Sequence, residues 1–231
     1  MIQSEQNRNL TTVGILGVMH DEQTRNRYGL TLTLIGELIH EFAPDVICGE
    51  VLPSSWDLIT RGLAEEGYWR IAESEHLSYW AEPASEYWRL IFPLCREKDI
   101  LFVPIDWLEL DVWWDFDPFH GFTEPDRLLL EAERASWHEK QLETYRLGPI
   151  PFNSSAYDEL ARAKHKWLQQ VNPDSYNFRW IIRHLIMIQR VKKAIKQNPG
   201  KRILVIAGAD HNYSFNDGLR TEPIELIYPL R

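Results

Sequence analysis

The 231-residue chain is poor in cysteine, with only Cys48 and Cys95. Two thiols cannot build a disulfide framework or a four-thiolate metal site. Both lie in apolar stretches, so each reads as a free, buried thiol in a reducing compartment. Long apolar runs are also missing. None reaches the ~18 residues needed to span a bilayer, and Met1 to Thr12 is polar with no apolar signal core. The expectation is a cytoplasmic protein with no membrane partner. Positive charge is in deficit, because 25 Lys+Arg stand against 34 Asp+Glu for a formal charge of −9. No global field is available to hold nucleic acid. Lys192, Lys193 and Lys196 cluster near the end of a helical pattern, where they complement its dipole. Several catalytic signatures are absent. Gly14-Ile15-Leu16-Gly17 lacks the Gly-x-Gly spacing of a dinucleotide loop, and there is no phosphate-binding loop, no Gly-x-Ser-x-Gly elbow and no His-Glu-x-x-His helix. Asp115 to His120 has spaced oxygen ligands but none of the later residues of a calcium loop, so it reads as a surface turn.

With 26% charged and 44% hydrophobic residues, the chain suits a single domain over residues 1–231. Val13 to Met19, Asp45 to Val51, Ile100 to Ile105 and Arg202 to Ala207 are short apolar runs without alternation, the pattern of parallel strands covered on both faces. Ile224 to Tyr228, bracketed by Pro223 and Pro229, reads as an edge strand. Leu30, Leu34, Ile35, Leu38, Ile39 and Phe42 form a helical stripe that Pro44 stops. Helical patterns follow over Ser54 to Arg70, Glu82 to Lys98, Pro125 to Tyr145, Tyr157 to Gln170 and Tyr176 to Gln197. The expected fold is α/β: a mostly parallel β-sheet core flanked by helices. A long α-helical insertion, residues 107–200, lies between the third and fourth strands as a lid or pocket wall.

Ligands of open parallel sheets bind beyond the carboxyl ends of the strands. Here the runs end in Gly17-Val18-Met19-His20, Cys48-Gly49-Glu50, Pro104-Ile105-Asp106 and Gly208-Ala209-Asp210-His211. Two imidazoles and two or three carboxylates therefore meet at one sheet edge. Each alone is an ordinary cap; together they suit either a divalent metal that activates water or a metal-free base with an orienting partner. The glycine three before each histidine is expected to let the backbone turn sharply and to leave room for a ligand.

Gly17-x-x-His20, Glu50 and Gly208-x-x-His211 resemble the TraB/Tiki superfamily, whose wider relatives include the erythromycin esterases and the haem-binding ChaN proteins. That family adds an Arg-Asn-x-x-Met helix, matched by Arg183-His184-Leu185-Ile186-Met187 with His184 in place of asparagine. The resemblance implies a hydrolase of ester or amide bonds with a site built from His20, Glu50, Arg183 and His211. The substrate would be a small molecule or a peptide. In Tiki-like members a divalent metal, manganese, cobalt or zinc, would be held by His20, Glu50, His211 and Asp106. In the esterase branch a histidine base works without metal, and on the ChaN side the alternative is a haem- or small-ligand-binding protein without catalysis. His184 either adds a ligand or fills the core. Arg183 would stabilise an oxyanion or hold a substrate carboxylate, and whichever carboxylate stays free would accept the proton. Arg25 and Tyr213 are further substrate-binding candidates, a solvated arginine and a packed tyrosine being their ordinary alternatives.

Seven of the 10 tryptophans fall between Trp56 and Trp114. Trp107, Trp113 and Trp114 directly follow Asp106 and are candidates for a substrate-binding wall. Packing the insertion onto the core, or burying the contact of a homodimer, would use the same residues.

Overall fold

The computed structural model describes residues 10–64, 85–107 and 117–230. In chain order the elements begin with β1 (Thr12–Val18), α1 (Glu22–Arg27), α2 (Leu32–Phe42), β2 (Val46–Gly49) and α3 (Pro53–Ala64). A π-helical turn (Tyr87–Ile91) then runs into α4 (Phe92–Lys98), followed by β3 (Leu101–Pro104), α5 (Glu124–Glu143) and α6 (Ser155–Val171). The short α7 (Pro173–Tyr176) continues through a second π-helical turn (Asn177–Ile182) into α8 (Arg183–Gln197), before β4 (Arg202–Gly208), α9 (Asn212–Leu219) and β5 (Glu225–Ile227).

All five strands are parallel, in the order β3-β2-β4-β1-β5. The four apolar runs and the edge strand read from the sequence are these strands. Pairing places β4 between β1 and β2, although it comes last of the three in the chain. Gly208 at the end of β4 is level with Val18, and Ile206 with Gly49. The residues that follow β1, β2 and β4 therefore emerge side by side at one edge.

Side chains alternate between two cores, as the two-residue period of a strand requires. Leu16, Val18, Ile47, Leu204 and Ile206 face one layer with Ile35, Ile39 and Phe42 of α2 and with Ile91 and Phe92. Val13, Ile15, Cys48, Ile203 and Val205 face the other with Met187, Val191 and Ala194 of α8 and Phe215 and Leu219 of α9. Helix α2 starts at Thr31, whose hydroxyl accepts from Leu34 N–H, and stops at Ala43 in the left-handed conformation just before Pro44.

The long segment between β3 and β4 divides in two. Helices α5 and α6 carry the excursion, capped by Thr123 and Ser154, whereas α8 packs on the sheet as the crossover that a connection between the parallel strands β3 and β4, on either side of β2, requires. Cys48 and Cys95 are free and buried. Among the described residues no helix is long and apolar enough to cross a membrane.

Leu204 is fully buried in the central strand. Leu204→Ala is expected to lower stability by about 3 kcal/mol, read from urea unfolding; a loss below about 1 kcal/mol would contradict its central position.

Candidate functional site

Glu50 sits immediately after β2 with its side chain removed from solvent, and every oxygen it carries is engaged. Oε1 accepts from Arg183 Nη2 at 2.6 Å and lies 3.2 Å from His211 Nε2. Oε2 accepts from the Gly208 backbone N–H at 2.7 Å and lies 3.4 Å from His20 Nε2. Burial by itself disfavours the carboxylate, but the charges of His211 and Arg183 hold its pKa well below the usual range.

Around this centre the charges form a chain. Arg183 forks onto Asp106, with Nε donating to Oδ1 at 2.7 Å and Nη2 to Oδ2 at 3.0 Å. On the opposite side, His20 Nδ1 lies 2.6 Å from Glu86 Oε1, and Arg25 Nη1 donates to Glu86 Oε2 at 3.0 Å. Burial opposes a charge on His20, yet the Glu86 and Glu50 carboxylates prevail and push its pKa up to about 10. His20 is then an imidazolium at neutral pH. The carboxylates of Glu50, Glu86 and Asp106 are met by the cations Arg25, Arg183 and His20. Such balance is what allows so many charges in a dry place.

Two imidazoles close the cluster. His184 Nε2 lies 2.6 Å from His211 Nδ1. Burial, helped by the charges of His211, His165 and Arg183, drives the His184 pKa well below its ordinary value, so this ring is neutral. A single proton occupies the contact between the two rings. The Trp180 ring covers His211 with its centroid 5.2 Å away.

Local structure explains the positions. Glu86 and Tyr87 open the first π-helical turn, and Arg183 follows the second. The extra residue per turn of a π-helix rotates the side chains that follow it, and such turns recur at functional sites. The Tyr87 hydroxyl accepts from Glu50 N–H at 2.8 Å and donates to the Ile206 carbonyl at 2.9 Å, tying the end of β2 to β4.

Neither motif glycine has a positive φ, so neither is there to turn the chain. A Cβ on Gly17 would come within 2.2 Å of the Asn212 side chain, and Asn153 pairs with both the N–H and the carbonyl of Gly17. Its space is used for packing. A Cβ on Gly208 would lie 3.0 Å from His20 Nε2 and 3.5 Å from Glu50 Oε2. The missing Cβ at that glycine lets the backbone approach His20 and donate to Glu50.

No family model, curated protein or solved structure matches this chain.

His20, Glu50, Arg183 and His211 meet as the sequence predicts, and Asp106 joins them through Arg183. Several assigned roles change. The guanidinium fork of Arg183 is committed to Asp106 and Glu50, so it orients Glu50 instead of meeting an oxyanion. Each of the three carboxylates faces a cation, which leaves no free carboxylate in the cluster to take a proton. Arg25 is fully buried, which excludes a solvated arginine; it holds Glu86 and the Met19 carbonyl, not a substrate at the surface. Tyr213 packs 6.2 Å from the His184 ring, with Arg162 over its face. Trp107 stacks near Phe178 beside Asp106, while Trp113 and Trp114 lie outside the described residues. Trp56 and Trp88 pack against Phe92, the core alternative for the tryptophan-rich stretch. Asp210 turns from the cluster toward Lys164, Gln141 and Tyr157.

The arrangement does not fit a divalent metal. Asp106 faces a guanidinium fork and the Trp107 N–H, Glu50 Oε1 is bound by Arg183, and among the described residues no group of three His, Cys, Asp or Glu side chains that could hold a metal ion occurs. A metal ion would have to displace or repel the adjacent guanidinium.

Glu86, Tyr87 and Trp180 escape the sequence reading, since each lies inside a helical pattern and no strand end marks it. The raised pKa of His20 means that its contribution to stability is complete below the ordinary imidazole value of 6.5 and is lost as pH rises through about 10. Removing one of its two carboxylates with Glu86→Gln should shift that value from about 10 toward 6.5. An NMR titration of the His20 ring checks this; an unchanged midpoint would mean that Glu86 does not govern the proton. Gly208→Ala should crowd His20 Nε2 and perturb the same resonance.

Proposed function

We propose that the chain is a hydrolase that cleaves an ester or amide bond in a small molecule or peptide, with His20 as the proton-transferring group and without a metal. The observation that carries this reading is the orientation of His20. Its Nδ1 is held by Glu86 at 2.6 Å, and its Nε2 lies 3.4 Å from Glu50 Oε2 beside Gly208. A carboxylate that fixes one ring nitrogen orients the other, as a histidine base requires. Its side chain is also more accessible than those of Glu50, Glu86 and His211.

In this scheme His20 Nε2, once deprotonated, accepts a proton from water as that water attacks the carbonyl carbon. The same proton then passes to the departing oxygen or nitrogen, so the ring returns to its starting state. Glu86 stabilises the imidazolium formed between the two steps. Glu50 holds His20 and His211 on either side of its carboxylate, and Arg183 and Asp106 hold Glu50. The free, buried thiols of Cys48 and Cys95 accord with a reducing, cytoplasmic setting.

The accepting form of His20 grows as pH rises toward about 10, so hydrolysis should accelerate with pH across the neutral and alkaline range and level off near that value. His20→Ala should lower turnover of aryl and alkyl esters by at least about 100-fold, and chelation should leave the wild-type rate intact. Full activity in His20→Ala with an unchanged circular dichroism spectrum would overturn the assignment. Loss of activity on chelation would favour a metal centre, and a Soret band on adding haem, with no turnover, would favour the binding protein.

A further inference from the structure

A cavity of about 340 Å³ opens where α6, α8 and α9 meet, large enough for a small molecule. Ile181, Leu185 and Ile188 give it an aliphatic wall, of which Leu185 is 58% exposed. Tyr176 and Tyr213 line it as well, with their hydroxyls hydrogen-bonded to each other. Arg162, also on its wall, is offset by Asp217 at 2.8 Å, which leaves the charge of Lys166 among the lining residues.

His184 sets this cavity apart. Its residue is only 6% exposed, yet it forms part of the lining. Nε2 is taken by His211 Nδ1 at 2.6 Å, and the other ring nitrogen, Nδ1, has no hydrogen-bond partner among the described residues. Both ring nitrogens of the neighbouring His165 are unpartnered and sealed from solvent, whereas His184 Nδ1 is not sealed. A largely buried polar atom that opens on a cavity is a place for one hydrogen bond to a ligand. Because the His184 ring is neutral, the proton it shares with His211 decides what Nδ1 can do. With that proton on His184 Nε2, Nδ1 accepts; with it on His211, Nδ1 carries the ring's own proton and donates. A hydroxyl answers both states, since it has a proton to give and lone pairs to receive one.

We infer that this cavity binds a small apolar molecule bearing a hydroxyl, an alcohol or a phenol, with the hydroxyl on His184 Nδ1 and the body against Ile181, Leu185 and Ile188. The site stands whether or not the chain is a hydrolase. A ligand there meets the buried cluster directly, because His184 contacts His211 at 2.6 Å and His211 Nε2 lies 3.2 Å from Glu50 Oε1. Occupancy therefore changes the surroundings of the proton between the two rings.

The test is titration of the full chain with 4-ethylphenol, hexanol, ethylbenzene and 4-ethylbenzoate, followed by calorimetry and by nitrogen NMR of the histidine rings. The first two probes distinguish a phenol from an alkyl alcohol, and at least one of them should bind at least about tenfold more tightly than ethylbenzene and 4-ethylbenzoate. That ligand should move the Nδ1 resonance of His184 and, through the shared proton, that of His211. Leu185→Gln, at an exposed position, should weaken its binding by about fivefold. His184→Phe should abolish the preference for a hydroxyl; if this variant does not fold, the His184 Nδ1 resonance of the wild type decides. Ethylbenzene binding as tightly as both hydroxyl compounds, or no binding of either, would overturn the inference. So would tighter binding of 4-ethylbenzoate, which would make Lys166 the determinant, or binding of a hydroxyl compound that leaves His184 Nδ1 unmoved.

Discussion

The burial of one ionised carboxylate governs the strand-end cluster of this protein. Glu50 stands at the end of an inner strand with no access to water, a position in which an unpaired charge would be prohibitively costly. Its two oxygens consequently recruit a guanidinium, a backbone N–H and two imidazoles. Each of those partners is then fixed in turn: Arg183 by Asp106, His20 by Glu86, and Glu86 by Arg25. Breaking one link leaves a buried charge uncompensated, so the cluster behaves as a unit and its members cannot be ranked one by one.

The sheet topology makes this possible. Placing β4 between β1 and β2 brings His20, Glu50 and His211 from three distant parts of the chain to neighbouring strand ends. Asp106 follows β3, and the remaining members come from helices, which are less constrained. Both π-helical turns occur where a helix must deliver a charged side chain to the cluster, Glu86 at one and Arg183 at the other. Each turn departs from regular α-helical hydrogen bonding next to the residue that joins the cluster.

The excursion between β3 and β4 supplies both scaffold and setting. Helix α8 closes one face of the sheet and carries Arg183 and His184, while α5 and α6 pack Leu142, Tyr157 and Ala161 into the other core and border a cavity beside Trp180. Trp180 belongs to both places, because it seals His211 on one side and lines the cavity on the other. The site and its neighbouring pocket are thus built by one continuous stretch of helix around residue 180.

The sequence by itself determined the parallel strands, because unbroken apolar runs such as Ile203 to Ala207 have no solvated face to place. It also determined that His20, Glu50, Asp106 and His211 share an edge, since the residue after each such strand emerges on the same side. Strand order was not legible, because pairing depends on how crossovers pack and not on any local pattern. Nor were the roles. A glycine before a histidine looks the same in both motifs, yet one makes room for Asn212 and the other for the face of His20. Arg25 and Glu86, far apart in the chain and unremarkable in their helices, become a buried pair only when the fold excludes water from both. Which charge neutralises which is decided by tertiary distance and local dielectric, and those exist only once the chain has folded.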